Sequence, residues 1–376
     1  MKKYLFISNV SHKITNFAIP SIEAAQSLGY EVHLAANYRD FKDDPEKYGV
    51  ILHHIDIARS PFHKQNLTAY KQMMELLKKD KFDVIHCNTP VGGLLGRVCG
   101  AKTGVRKILY TAHGFHFYKG APWINKTVFK FIEKRLAHQT DAILTMNRED
   151  FDTAQCFRLR TKNGKVYFVH GVGIDSQTLR ETTVNKDALR SELGIPKEAV
   201  LLISVGELNK NKNNKIVIEA LGGLKRQDIH YIVCGAGGEE ENLQQLATQV
   251  GTEKQVHFLR YRTDIPQLLK AADIFVLTSF REGLSRSIME AMAAGLPCMV
   301  SNIRGNVDLI QESKGGFLCS PQDSKYFAEK LDELASDEEL RLRMGAFNLQ
   351  AVESYDVQNV KREMMDIYLQ ELLIQE

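Results

Sequence analysis

Residues 274–301 read IFVLTSFREGLSRSIMEAMAAGLPCMVS, and the fold turns on how this stretch is read. Ile274 to Ser279 is a short β-branched and aromatic run, a helix-period segment starts near Leu284 or Ser285, and Pro297 to Ser301 is a second short apolar run. Strand, helix and strand in this order predict a parallel βαβ unit. Two glutamates, Glu282 and Glu290, stand eight residues apart across the strand exit and the helix. Along a helix that interval is about 12 Å of rise and about 80° of rotation. A hydrolytic carboxylate pair wants ~5–9.5 Å with both groups aimed at one bond. The spacing therefore fits the two ends of one elongated ligand better, with the amides of Gly283, Leu284 and Ser285 between them as an anion site. A molecule built as hydroxyls, phosphate, hydroxyls is a nucleotide sugar. Residue chemistry alone allows a plainer account equally well: an acid that complements the helix dipole, and a solvated glutamate.

The same alternation extends on both sides. Toward the N-terminus the strand-like runs are YLFIS near residue 4, EVHLAA near 31, VILHHIDI near 50, DVIHCN near 83, KILYTAH near 107, AILTMN near 142 and VYFVHG near 166. A second set follows: VLLISVG, HYIVCG, VHFL, IFVLTS, PCMVS and GFLCS, from Val200 to Ser320. Asp175 to Ile195, polar and poor in strand formers, is the natural linker. A chain of 376 residues also exceeds what one core usually holds. The fold class predicted is α/β, with two facing Rossmann-like domains, 1–175 and 176–350, and the cleft between them as the expected site. In 351–376, Val357, Val360, Met364, Ile367, Tyr368 and Leu372 share one helix face. Pattern alone leaves open whether that face packs within its own domain or crosses back to the first, which is the reading taken.

The net charge of +3 hides an asymmetry: residues 1–175 hold 26 Lys and Arg against 16 Asp and Glu (+10), and the remainder 23 against 30 (−7). A basic first half suits an anionic partner, a membrane surface or a phosphorylated substrate, and equally a solvated face. In Tyr118–Gln139, Lys119, Lys126, Lys130, Lys134 and Arg135 interleave with Trp123, Phe129 and Phe131. That mixture predicts either a helix resting on anionic lipid or a core-facing helix with a cationic outer side. No window reaches the ~20 apolar residues of a bilayer span, and Met1-Lys2-Lys3 leads only into the short run Tyr4 to Ile7. The expectation is a cytoplasmic chain, with peripheral contact at the inner face of the cell membrane. The six cysteines form no C-x-x-C pair, so buried thiols are expected rather than disulfides or zinc.

EGLSRSIMEAMAAGLP resembles the E-x7-E donor-site signature of the retaining, family-four glycosyltransferases of GT-B fold, and SVGELNKNKN, VCGAGGEEENLQQLA, VHFLRYRTDI and VSNIRGNVDLI resemble that family in order and spacing. The likeness spans nearly the whole chain and is firmest in the second domain. It is greatest to bacterial enzymes that build capsular, exopolysaccharide or lipid-linked oligosaccharide chains. The resemblance implies that Glu282 contacts the hydroxyls of the transferred sugar, Glu290 holds the ribose, and Lys212 neutralises the diphosphate. After Gly206 the family carries an arginine where this chain has Glu207, so that phosphate contact is lost or comes from elsewhere, Arg286 and Arg304 being candidates. Gly235, Gly237 and Gly238 permit a tight turn after a strand. Arg262 falls where the family approaches the base or phosphates, while Arg260 replaces a common glycine.

In TAHGFHF, His113 matches a histidine that lies close to the reacting sugar and orients it rather than serving as a base. Ser11, His12 and Asn16 stand where the family has a glycine-rich first loop and are candidates for the acceptor side. Without the resemblance, Lys212 reads as a surface lysine, His113 as a core histidine and residues 8–17 as a polar loop. The implied reaction is metal-independent transfer from a nucleotide sugar, a UDP-sugar foremost, to a saccharide or an undecaprenyl-diphosphate-linked acceptor. It needs no cofactor and no nucleic acid. No D-x-D-like metal motif stands at a strand end, and no strand leads into a G-x-G-x-x-G with an acidic residue about 20 positions on, which argues against a dinucleotide oxidoreductase. A nucleotide-sugar epimerase of the same build and a catalytically inactive sugar-nucleotide binder stay open.

Overall fold

The computed structural model describes residues 1–14 and 17–373, the last by its main chain only. The chain divides into two compact units, Met1–Gly173 with Val357–Glu376, and Ile174–Asp356.

Among the described residues the first unit holds β1 (Lys3–Val10), β2 (Glu31–Asn37), β3 (Ile51–His54), β4 (Val84–Asn88), β5 (Lys107–Ala112), β6 (Ala142–Thr145) and β7 (Lys165–Phe168). They pair in parallel in the order β3-β2-β1-β4-β5-β6-β7. Every residue of β4, β5 and β6 is buried, as expected of parallel strands covered on both faces. The helix Pro90–Thr103 lies so close to this sheet that only glycine fits at its contact points. A Cβ at Gly93 would fall 2.5 Å from the Tyr110 ring, and one at Gly96 2.5 Å from Cys87 Sγ.

The terminal helix Val357–Tyr368 crosses back and completes this unit, packing on the helix Ile19–Ser27. Of the six apolar positions expected on its inner face, Val360, Met364, Ile367 and Tyr368 are buried, and Val357 and Leu372 are half-buried. The Tyr368 hydroxyl lies 2.6 Å from both the Tyr4 hydroxyl and His86 Nδ1, and His86 Nε2 lies 2.7 Å from Thr111 Oγ1. Burial pushes the His86 imidazole down to about 3, with nearby His113 adding to the effect, so the ring is neutral and has one proton to donate. With Nε2–H donating to Thr111, Nδ1 accepts from Tyr368 and Tyr4 donates to Tyr368, which satisfies the buried cluster. One turn later Glu371 accepts from Lys107 Nζ at 2.7 Å and from the Tyr167 hydroxyl at 2.6 Å, both carboxylate and ammonium being buried.

The second unit holds β8 (Val200–Val205), β9 (Ile229–Cys234), β10 (Val256–Arg260), β11 (Ile274–Leu277), β12 (Cys298–Ser301) and β13 (Gly316–Cys319), parallel in the order β10-β9-β8-β11-β12-β13. Leu201 and Ile203 enter one core layer and Val200 and Leu202 the other, the two-sided burial of a central strand.

The boundaries differ from the sequence expectation. Asp175–Ile195 is not a free linker: it forms the helices Ser176–Glu181 and Lys186–Glu192, and Leu179 and Ile195 are buried in the second unit's core. Val352 and Tyr355 are buried in the same layer. The break before the terminal segment therefore falls after Asp356 rather than after residue 350.

Two outcomes follow for the first unit. Glu371→Ala strands the buried Lys107 ammonium and lowers stability by about 3 kcal/mol, while the apolar double replacement Lys107→Met with Glu371→Leu recovers most of it; urea unfolding followed by circular dichroism reads both. His86 has its pKa lowered on folding, so its contribution is present above the unfolded value near 6.5 and is lost as pH falls below it. That loss is about 1.4 kcal/mol per pH unit, and in His86→Gln the slope of stability between about pH 6.5 and 5 is smaller by that amount.

Candidate functional site

In the second sheet the strand order reverses at β8, which has β9 on one side and β11 on the other. The chain leaves β8 and β11 in opposite lateral directions, so their exit loops flank an opening at the carboxyl edge, where open α/β sheets bind ligands. The two exits carry Gly206 to Asn214 and Thr278 to Ser285. Lys212 Nζ donates to Glu282 Oε1 at 2.7 Å, both side chains mostly buried. Main-chain and amide bonds lock the two loops together: Phe280 N donates to Asn211 O at 2.8 Å, Asn211 Nδ2 to Arg281 O at 2.9 Å, and Asn213 Nδ2 to Thr278 O at 3.1 Å. Asn213 holds φ 53, a left-handed backbone that asparagine tolerates. Gly206 lies beneath the Lys212 side chain, where a Cβ would sit 3.3 Å from Cε. A Cβ at Gly235 would overlap Gly206 O at 1.8 Å, so the exits of β8 and β9 close on each other only with glycine there.

Glu282, Gly283 and Leu284 are part-buried in the loop that enters the helix Arg286–Ala293. Ser285 is its N-cap, but the hydroxyl pairs with Ser287 Oγ at 3.1 Å instead of the helix amides. Glu290 accepts from Arg286 Nε at 2.8 Å. Each of the two glutamates is thus matched by one cation. The buried guanidinium of Arg304 donates to Glu282 O, from Nε at 3.3 Å and Nη2 at 3.2 Å, and so braces the main chain that carries the carboxylate. Gly305, at φ 81, lets that strut approach, since a Cβ would fall 2.2 Å from Gly283 O.

Glu207 is exposed. Arg262, after the edge strand β10, forks onto Asp264 at 2.8 and 2.6 Å rather than onto the Lys212–Glu282 pair. Arg260 adopts φ 53 and pairs with Glu240 at 2.9 Å, which explains why a glycine would suit that position.

In the first unit His113 follows β5, and its Nε2 lies 3.2 Å from Asn88 Oδ1 at the end of β4. The Phe17 ring covers it at 4.1 Å between centroids. Burial pushes the His113 imidazole down to about 3, so it is a neutral hydrogen-bonding ring. Asn88, Thr111, Ser21 and Gly171 line a crevice with it. Beside Asn88, Thr89 is held at φ 64, a strained backbone for a β-branched residue, while Asn9 Oδ1 accepts from Gly92 N at 2.7 Å. Sequence reasoning missed Asn88, Phe17 and the Thr89 turn; the Asn-Thr-Pro run at the exit of β4 was the available signal. Ser11 donates to Lys13 O at 2.8 Å and His12 is exposed, while Asn16 lies outside the described residues. Among the described residues, no group of three or more His, Cys, Asp or Glu side chains is placed to hold a metal ion, and no helix is long and apolar enough to cross a membrane.

Residues 185–350 match the family model for glycosyl transferases group 1, and residues 3–147 match that for glycosyl transferase 4-like proteins. The chain is 35% identical over 375 residues to the "Putative glycosyltransferase EpsD" of Bacillus subtilis, covering 98% of this chain and 96% of that one. It is 29% identical over 303 residues to the UDP-Gal:alpha-D-GlcNAc-diphosphoundecaprenol alpha-1,3-galactosyltransferase of Escherichia coli, covering 79% of this chain and 78% of that one. The crystal structure of Anabaena HepE in complex with UDP and glucose superposes with a TM-score of 0.78 at 21% identity, over 98% of this chain and all of that one, a likeness of fold. The chain belongs to the family of group 1 and 4-like glycosyltransferases, and its two parallel-sheet units have the GT-B fold.

Proposed function

We propose that the protein transfers a sugar from a UDP-sugar to a hydroxyl of a saccharide or of an undecaprenyl-diphosphate-linked saccharide in bacterial surface polysaccharide synthesis, with retention at the anomeric carbon. The observation that carries the reading is the Lys212–Glu282 ion pair at the strand-order reversal of the second sheet. A pyrophosphate that takes Lys212 as its counter-ion releases Glu282 to accept hydrogen bonds from the sugar attached to it. Glu290, on the same helix, is left to bind ribose hydroxyls, and the start of the helix Arg286–Ala293 adds its dipole to the anion site. Gly206, Glu207, Gly235 and Arg262 form the rim of this donor site in the reading, Gly206 and Gly235 by letting main chain approach the phosphates. Support for the donor and the lipid-linked acceptor comes from the activity of the Escherichia coli relative and the UDP of the HepE complex.

In the reaction the bond between C1 and the leaving phosphate oxygen breaks as the acceptor oxygen bonds to C1 on the same face. The acceptor proton passes to an oxygen of the departing diphosphate. Lys212 and the helix amides absorb the charge that builds up, a task a metal ion performs elsewhere, so the reading needs none. His113, neutral throughout, orients a sugar hydroxyl, and Ser11, His12 and Asn16 remain its acceptor-side candidates.

Three outcomes test the reading. Lys212→Ala weakens UDP binding in calorimetry and lowers kcat/KM for the UDP-sugar ~100- to 1,000-fold. Glu282→Ala abolishes most transfer yet binds UDP as tightly or more tightly, because the lysine is no longer neutralised. Full turnover by both variants, or no turnover of any donor by the wild type, sinks the proposal, the latter in favour of an inactive binder. His113→Gln lowers transfer about tenfold, as for one lost hydrogen bond, and leaves the shape of the rate profile between about pH 5.5 and 8 unchanged, since a ring titrating near 3 stays neutral across that range. Proton NMR of the product reads the anomeric configuration, which matches that of the donor.

A further inference from the structure

We infer that Asn88 is a positioning residue for the transfer: it fixes which nitrogen of His113 carries the proton, and so requires the sugar hydroxyl at that ring to donate its hydrogen bond rather than accept one. The inference rests on the proposed role of His113 and adds the direction of the bond that the ring makes. Asn88 is buried at the last position of β4, where it pairs with Thr111 of β5. Immediately after it the strained Thr89 turn ends the strand, and Thr89 Oγ1 donates to Asn9 Oδ1 at 2.6 Å. The main chain that carries the Asn88 amide is therefore held on both sides, by the strand ladder and by the turn.

The amide fits only one way round. Its Nδ2 faces the main-chain carbonyl of His86 at 3.5 Å, and reversing it would set Oδ1 against that carbonyl, two acceptors in contact. Oδ1 is therefore the atom that faces His113 Nε2, at 3.2 Å. An acceptor at that place needs a donor, so Nε2 carries the ring's proton. In a neutral imidazole this leaves Nδ1 with a bare lone pair. Burial keeps the ring neutral, and His86, the titratable side chain beside it, is neutral for the same reason. Among the described residues none donates to Nδ1. The Phe17 ring, 4.1 Å away between centroids and 33° between planes, holds the plane of the imidazole while Asn88 holds its edge. The lone pair then selects its partner: an O–H group donates to it, whereas fluorine or a carboxylate oxygen offers no proton and is repelled.

Long-range proton–nitrogen NMR of the full chain reads the tautomer, with His113→Gln identifying the ring by the loss of its signals. The wild type is expected to show Nε2–H at about pH 7, and Asn88→Leu a mixture of the two tautomers. With the UDP-sugar that the wild type turns over, Asn88→Leu lowers kcat about tenfold and leaves KM for the donor within about twofold. Asn88→Asp keeps an acceptor against Nε2–H and retains most of the rate near about pH 8, but its carboxylate raises the imidazole pKa, so transfer falls toward about pH 5.5, where the wild type is level. An Nδ1–H ring in the wild type, an unchanged tautomer in Asn88→Leu, or a level profile in Asn88→Asp overturns the inference. The two readings fail separately. Transfer catalysed by a chain with an Nδ1–H ring sinks this inference alone. An Nε2–H ring in a chain that turns over no donor sinks the transfer reading, and the substrate half of the inference with it.

Discussion

Parallel pairing obliges every strand of a sheet to end at the same edge, and the rest of this molecule is built on that obligation. Within each unit the returning helices cover both faces, so the strands are apolar on both sides and polar chemistry is pushed to the exits. Where the order reverses, two neighbouring exits diverge and no crossover fills the space between them. The second unit puts Lys212 on one of those exits and Glu282 on the other. The first unit puts Asn9 and Asn88 at the equivalent place, with His113 one strand further on.

The electrostatic logic of the second-unit cluster is substitution rather than vacancy. A lysine and two arginines are each occupied, by a carboxylate or by a carbonyl. In the proposed reading an incoming diphosphate exchanges one anion for another at Lys212. The loop geometry is ordered without a ligand, with Arg304 and the asparagine ladder 211–213 bearing on the main chain, which leaves the carboxylates for the ligand in that reading. Pre-ordered dipoles and charges are what stabilise a developing anion most effectively.

Much of this was legible in the sequence for a definite reason. Strand and helix periodicity are local, so all thirteen runs singled out as strands form them, Glu282, Lys212 and His113 fall in strand-exit segments, and Glu290 lies within the following helix, as their contexts suggested. What was not legible depends on contacts across long intervals. Lys212 and Glu282 are 70 residues apart and meet only because β8 lies beside β11. Arg304 acts on a carbonyl, which leaves no mark in side-chain pattern. Polar composition disguised Asp175–Ile195 as a linker, although Asp175 and Asn185 each cap a helix from the residue that precedes it, a signal that was there to be used. In the terminal segment the apolar face was readable, but its partners Tyr4, His86 and Lys107 were not, since a face does not name what it packs on.

The way the terminal segment closes the first unit has a consequence for biosynthesis. Residues 1–173 leave the ribosome before the second unit, yet the tyrosine and the glutamate that pair with their interior polar groups are encoded only after that unit. At about 5–20 residues per second, the nascent first sheet waits roughly 10–40 s for them. Over that interval the second unit, continuous from Ile174 to Asp356, is made whole while its elder neighbour is still unsealed. A segment translated after the second unit thus finishes the unit begun before it.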